Sequence, residues 1–197
     1  MIKRFFDIVV SGTGLIFLFP VFLIVAICVM SDSSGPVFFR QLRVGRFGVP
    51  FRIHKFRTML VDSESAGRLT VGLDNRVTRS GRFLRKYKLD ELPQLIDVLL
   101  GNMSLVGPRP EVQEFIDCYP ESVRRQVLSI RPGITDKAAI EMVDENQILA
   151  QYDDARQAYI DIILPIKQRY YIEYVEKQNF FLDFLLIIIT LKKIISR

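Results

Sequence analysis

Lys88-Leu89-Asp90-Glu91-Leu92-Pro93-Gln94-Leu95 sets two adjacent carboxylates between a basic stretch and the start of an apolar run. Upstream, Arg76, Arg79, Arg82, Arg85, Lys86 and Lys88 recur at mostly three-residue spacing. Downstream, Asp90 is placed to cap a helix, and Pro93 falls in its first turn, where a missing N–H costs nothing. Leu95-Ile96 and Val98-Leu99-Leu100 carry that helix to Gly101, a natural stop. The free N–H groups and dipole of a helix start favour an anion, and nearby guanidinium groups would hold the charge of a phosphorylated ligand. An ionised Asp there is a candidate nucleophile towards phosphorus, or a ligand for a hard cation such as Mg²⁺. The plainer alternative is a capping Asp followed by a solvated Glu.

The rest of the chain bears on that choice. Its 197 residues are enough for one domain with a proper core. A formal charge of +5 favours a phosphate-bearing or anionic-membrane partner. Mean hydropathy is positive although 25% of residues are charged, so the apolar residues are concentrated. Cys28 and Cys118 lie far apart, which is no disulfide framework and fits a reducing compartment.

The concentration is at the N-terminus. Lys3 and Arg4 precede a run from Ile8 to Met30 without a charged residue. As one helix that run is about 35 Å long, enough for a bilayer core of about 30 Å. It is too long for a typical signal-peptide core, and no small-x-small cleavage site follows. Pro20, after Phe19, falls near its middle and is expected to kink or break the helix. The outcome is a kinked span or a re-entrant hairpin. Basic residues flank both sides (Lys3 and Arg4; then Arg40, Arg43, Arg46 and Arg52), and a true span would put one flank on the wrong face. The re-entrant form is favoured.

Ser31 to Pro36 reads as a turn-rich exit. Val37-Phe38-Phe39 and Phe51 to Arg57 read as short strands around a Gly45–Gly48 turn. His54 reads as an ordinary strand residue, and Lys55 and Arg57 as either phosphate contacts or a solvated face. Met59 to Asp74 is polar and reads as a loop, followed by a basic helix from Val77 to Lys86. Gly107-Pro108-Arg109-Pro110 fixes the backbone on both sides of one arginine, which suits a preorganised phosphate contact or a rigid turn; Arg131-Pro132-Gly133 has a similar design. A helical pattern runs from Glu145 to Gln178 with Pro165 as kink or boundary. Phe180 to Ile195 is apolar but interrupted by Asp183 and closed by Lys192, Lys193 and Arg197, as an interfacial or a buried helix would be.

Several of these segments together resemble the bacterial sugar transferases, specifically the small monotopic phosphoglycosyl transferases. The resemblance rests on Lys3-Arg4-Phe5-Phe6-Asp7 before a membrane segment with a central proline, Lys55-Phe56-Arg57-Thr58-Met59, and Leu89-Asp90-Glu91-Leu92-Pro93-Gln94. It continues through Met103-Ser104-Leu105-Val106-Gly107-Pro108-Arg109-Pro110 and Arg131-Pro132-Gly133-Ile134-Thr135. Each motif is weak alone; five in order are specific.

The resemblance implies an α/β fold, mainly helical with a small β-sheet. It implies a re-entrant membrane helix over 1–31 broken at Phe19-Pro20, a cytoplasmic catalytic domain over 32–178 and an interfacial or docking helix over 179–197. The implied reaction moves a sugar-1-phosphate from a UDP-sugar to polyprenyl (undecaprenyl) phosphate with Mg²⁺, releasing UMP. By position Asp90 is the expected nucleophile and Glu91 its acid/base partner, both near the metal. Lys55, Arg85 and Arg109 are expected on substrate phosphates, with Arg57 and Arg131 towards the donor. The implied setting is the cytoplasmic face of the bacterial inner membrane, with membrane lipids and a homo-oligomer as further partners and no nucleic acid. Two departures stand out: Phe19 replaces the family's common Ser, and Asp136-Lys137-Ala138-Ala139 replaces its usual Gly-Trp-Ala-Gln. Larger relatives carry a multi-span region that this chain is not expected to have. The rival readings are a membrane-tethered nucleic-acid-binding protein using the Arg76–Lys88 stripe, and a non-catalytic membrane scaffold.

Overall fold

The computed structural model describes residues 2–61, 74–142 and 145–196. It begins with α1, Ile2–Asp32, a helix of 31 residues that is long and apolar enough to cross a bilayer by length and composition. Pro20 lies inside it and does not end it. The expected break at Phe19-Pro20 is therefore not an interruption of the helix: proline removes one hydrogen bond and crowds the carbonyl four residues back, and the turns on either side hold.

A β-ribbon follows, made of β1 (Phe38–Phe39), β2 (Leu42–Val44), β3 (Pro50–Arg52) and β4 (Lys55–Phe56). β2 pairs with β3 and β1 with β4, both antiparallel. Phe38 faces Phe56, Leu42 faces Arg52 and Val44 faces Pro50, so one register runs through both pairs. Ile53 N–H to the Gln41 carbonyl, 3.0 Å, bridges the gap. The turn uses left-handed backbone at Phe47 and Gly48. This is the hairpin expected from the alternation, and it delivers Lys55 at its open end. The ends of the expected Met59–Asp74 loop meet through Met59 opposite Val77, while 62–73 lie outside the described residues.

Next come α2 (Arg79–Lys86), capped by the Thr78 hydroxyl, and α3 (Gln94–Leu100), closed by Gly101 at φ 90°. Contrary to the sequence expectation, Asp90 does not cap α3. Lys88 turns the chain with left-handed backbone (φ 56°), so Leu89–Glu91 forms a separate 3₁₀ turn and Pro93 takes the cap position. β5 (Ser104–Val106) and β6 (Gly133–Thr135) pair in parallel, joined through α4 (Gln113–Ile116) and α5 (Glu121–Val127). The expected single small sheet is thus separate two-stranded pieces, the ribbon pairs and β5–β6.

The C-terminal part holds α6 (Lys137–Glu141), α7 (Glu145–Leu149), α8 (Ala155–Ala158), α9 (Leu164–Lys177) and α10 (Phe180–Ile195). A π turn over Tyr159–Ile163 links α8 to α9. Pro165, at the start of α9, has no N–H to offer the Asp161 carbonyl, and the wider turn ahead of it absorbs the mismatch. The expected continuous pattern from Glu145 is broken at 150–154 for want of apolar residues to bury there.

α1 is bound to the rest of the chain at both ends. Near its start, Lys3 Nζ donates to Asp183 (2.6 Å), the Val106 carbonyl and the Tyr174 hydroxyl, and Asp7 accepts from Ser104 and the Leu105 N–H. Near its end, Val25 and Val29 pack on Phe56 and Leu84, and Asp32 accepts from the Ser80 hydroxyl and N–H, both at 2.7 Å. Its other side is bare: Ile16, Phe17, Phe19, Leu23, Ile24 and Ile27 are exposed. The expected docking helix is α10, with Asp183 and Leu186 buried and Phe181, Leu185 and Ile195 exposed.

Candidate active site

Three segments converge on the two carboxylates. β4 brings Lys55, α2 brings Arg85, and the strap after β5 brings Arg109. The strap is held rigidly, because Gly107 N–H donates to the Thr135 carbonyl (3.1 Å) and Gly133 N–H to the Pro108 carbonyl (2.9 Å). Only glycine allows this approach, since a Cβ on Gly133 would lie 2.1 Å from the Gly107 nitrogen.

Glu91 is buried between two cations. Lys55 Nζ donates to its Oε1 at 2.8 Å, and Arg109 grips both oxygens in a forked contact. Burial alone would push the Glu91 carboxyl up, but Arg109, then Lys55 and Lys88, outweigh it and hold it well below the usual range. Arg109 in turn is held well above its ordinary value by Glu91. Asp90 is also buried but lacks such clamps. Burial, and then the charge on Glu91, raise its carboxyl above the ordinary value of 3.8. Asp90 Oδ1 has no hydrogen-bond partner among the described residues, and neither has Gln94 Nε2 four residues on. Arg85 donates to the Thr58 hydroxyl at 2.9 Å and lies close enough to Asp90 to feel its charge.

The two carboxylates are therefore unequal. Glu91 is neutralised and immobile, whereas Asp90 keeps an unpartnered oxygen beside cations. That is the arrangement of a nucleophile or metal ligand next to a fixed charge pair.

Burial lowers the Lys55 ammonium to about 8, against the pull of Glu91. Below that pH the ammonium holds Glu91; above it Glu91 keeps Arg109 and the charge of Lys88. Activity that depends on the site should therefore fall as pH rises through about 8. In Lys55→Arg, whose guanidinium stays charged, that alkaline limb should vanish, whatever the height of the plateau. A pH–rate profile of the two proteins checks it, and an unmoved limb assigns it to another group.

The remaining basic candidates lie elsewhere. Arg57 is buried and spends its guanidinium on the exit of α1, donating to the carbonyls of Ser33, Ser34, Gly35 and Pro36 and to the Ser33 hydroxyl. Arg131 donates to the Gly101 carbonyl behind α3, at 2.8 Å.

Sequence reasoning missed the role of His54. Its N–H and its Nδ1 each meet an oxygen of Asp97 at 2.8 Å, and Asp97 is fully buried in α3. This clamp joins the strand of Lys55 to the helix that follows Glu91. The signal was available only as a histidine next to Lys55 and an acid in an apolar helix run. Asp97→Ala leaves the His54 N–H without its acceptor and should cost about 1–3 kcal/mol in thermal unfolding, with Asp97→Asn recovering part of it. A loss under about 0.5 kcal/mol would show that the pair carries no load.

A second buried set joins Glu111 to Arg43, Lys167 and the Tyr159 hydroxyl, with Lys167 reaching Glu145 at 2.7 Å. It anchors the strap beyond Arg109 to α9.

Comparison with known proteins agrees with these motifs. The family model described as bacterial sugar transferase matches residues 1–197. A UDP-N-acetylgalactosamine-undecaprenyl-phosphate N-acetylgalactosaminephosphotransferase of Aeromonas hydrophila is 35% identical over 99% of this chain and 44% of its own length. A UDP-glucose:undecaprenyl-phosphate glucose-1-phosphate transferase of Klebsiella pneumoniae is 43% identical over 70% of this chain and 30% of its own. A sugar transferase of Bacillus subtilis is 37% identical over 99% of this chain and 88% of its own. The chain thus spans less than half the length of the first two relatives and most of the third. With all five motifs inside the matched region, and Lys55, Asp90, Glu91 and Arg109 from three of them meeting at one buried site, this chain belongs to the bacterial sugar transferase family.

Proposed function

We propose that this chain transfers a sugar-1-phosphate from a UDP-sugar to undecaprenyl or another polyprenyl phosphate, releasing UMP, at the cytoplasmic face of a bacterial inner membrane. The observation that carries the reading is the unequal pair: Asp90 with an unpartnered oxygen beside Glu91, which Lys55 and Arg109 hold charged. The printed activities of the Aeromonas and Klebsiella relatives support the substrate classes.

In the first step an Asp90 oxygen attacks the phosphorus that bears the sugar. The bond from that phosphorus to the bridging oxygen breaks, UMP leaves with the electron pair, and a phosphosugar–aspartyl ester remains. In the second step an oxygen of the polyprenyl phosphate attacks the same phosphorus and Asp90 is restored. Glu91, its charge fixed in place, would hold Lys55 and Arg109 ready for the substrate phosphates. Arg85 and Arg109, which flank the two carboxylates, would balance negative charge as the diphosphate is cleaved. The donor set fits Mg²⁺, since Asp90 offers a free hard oxygen and substrate phosphates commonly complete such a site. When bound, the ion would neutralise phosphate charge. Asp90 would hold it, whereas Glu91 already has two cations on its oxygens.

The membrane reading draws on α1. A bitopic span leaves a domain at one end, yet here both ends of a helix about 46 Å long are tied to one body, with the bare apolar side between them. That supports a helix that stays with one leaflet instead of crossing to the other, with the site near the headgroups. The bare sides of α1 and α10 supply the lipid contact.

The test is to incubate the protein in detergent with Mg²⁺ and a panel of UDP-sugars labelled in the sugar phosphate. Without acceptor, label should remain on the denatured protein and chase into lipid when undecaprenyl phosphate is added. Acceptor-dependent UMP release with no label ever retained would reject the covalent step. Absence of UMP release from a donor panel that serves the Aeromonas and Klebsiella relatives would reject those substrates.

A further inference from the structure

α2 has two faces of different character. Gly81 and Leu84 are buried, and Arg85 turns inward to Thr58. Arg79, Arg82, Phe83 and Lys86 are exposed, and their spacing of three, four and seven residues stacks them along one side. Phe83 is 57% exposed and leans on the Tyr87 ring, which also receives the Lys86 ammonium at 5.2 Å. A stripe made only to face water has no use for a bare phenylalanine among its cations. An aromatic ring among cations is what a lipid interface takes up, the ring at headgroup depth and the cations on phosphates.

The location agrees. The first turn of α2 is bound to the end of α1 through Asp32 and Ser80, and Leu84 packs on Val25 and Val29. Leu23, Ile24, Ile27 and Met30 are exposed along that same stretch of α1. The bare apolar side and the cationic stripe are therefore carried by two helices bound to each other.

We propose that the Arg79, Arg82, Phe83 and Lys86 face of α2 is a docking surface for anionic phospholipid headgroups. This rests on the membrane reading above and adds a charge requirement to it. The opposite face of the helix carries Arg85, so lipid contact on the outer side fixes the height of the reaction centre above the membrane. A cation at an anionic leaflet is worth about a fivefold gain in occupancy, so three of them favour acidic membranes strongly.

The chain contains no tryptophan, which allows a direct test. Phe83→Trp introduces one reporter on α2, and Ile24→Trp, made separately, introduces one on α1. Each full-length protein is reconstituted into phosphatidylcholine vesicles with or without phosphatidylglycerol, using brominated lipids as quenchers. The α1 reporter should be quenched in both. The α2 reporter should be blue-shifted and quenched with phosphatidylglycerol, and released by high salt. Adding Arg79→Glu and Arg82→Glu should weaken that response by about tenfold or more, with an unchanged melting temperature in detergent showing that the fold is kept. An α2 reporter that stays water-like while the α1 reporter is quenched overturns the proposal and leaves the membrane reading intact. If neither is quenched, both fall. Equal quenching with and without phosphatidylglycerol, indifferent to charge reversal, overturns the anionic requirement. A salt-sensitive response of the detergent-solubilised protein to random duplex DNA, matching that to phosphatidylglycerol, overturns lipid as the partner.

Discussion

Asp90→Asn should lower UMP release by about 10⁴-fold or more, because an amide cannot form the phosphoryl ester and no neighbouring carboxylate among the described residues is free to replace it. Glu91, the nearest candidate, is held by Lys55 and Arg109 and cannot reach a phosphorus without breaking both contacts. The substitution keeps the shape of the side chain and removes a buried charge that lies beside another of the same sign. Stability should therefore stay level or rise slightly, which separates a chemical loss from a folding loss. Initial rates and thermal unfolding on the same preparation check both parts. A rate that survives in Asp90→Asn rejects the nucleophile, whatever the melting temperature.

The raised Asp90 carboxyl has a pH consequence of definite sign. As pH falls through its pKa the nucleophile is protonated and lost, so the acid limb of the rate profile should lie above the ordinary carboxylate range. With Lys55 setting the alkaline side near 8, the profile should be bell-shaped.

The second large effect is expected at a residue that carries no charge of its own. In Gly133→Ala the new methyl would sit 2.1 Å from the Gly107 nitrogen and 2.5 Å from its oxygen. Those are backbone atoms, so no rotamer change relieves the clash. β5 and β6 must separate, losing the hydrogen bonds of Gly107 to Thr135 and of Gly133 to Pro108. We expect a loss of about 3 kcal/mol or more, seen as a melting temperature lower by roughly 5–10 °C. Activity should fall further than stability explains, because Arg109 stands two residues beyond Gly107 and its grip on Glu91 moves with the strap. Gly12→Ala is the control, since its nearest neighbour is a Leu99 methyl at 3.9 Å. An unchanged melting temperature for Gly133→Ala would mean that the close approach of the two strands is not present in solution.

Much of this molecule was legible in local pattern. Turn residues and alternation marked the ribbon that ends at Lys55, Gly101 marked the end of α3, and Phe180 to Ile195 read as one helix. The motif charges Lys55, Arg85, Asp90, Glu91 and Arg109 were all named from their neighbours in sequence. Their types and spacing are set by chemistry that acts over a few residues, which a linear string records.

What the string did not record was pairing over long separations. It presented Lys3 and Arg4 as a flank of a membrane run, whereas they hold Asp183 and the end of α3, 180 and 94 residues away. It offered Arg85 for substrate phosphates and Arg57 for the donor, and packing turns Arg57 to the exit of α1 and Arg85 towards Thr58 and Asp90. It gave Asp90 and Glu91 different roles only through the resemblance, and no sign of how their surroundings would differ. That inequality arises because charge is felt through space, and two clamps from β4 and the Gly107–Arg109 strap reach one carboxylate and miss its neighbour. Local sequence named the candidate groups; contacts between distant segments settle which of them hold the fold and leave one with a free oxygen.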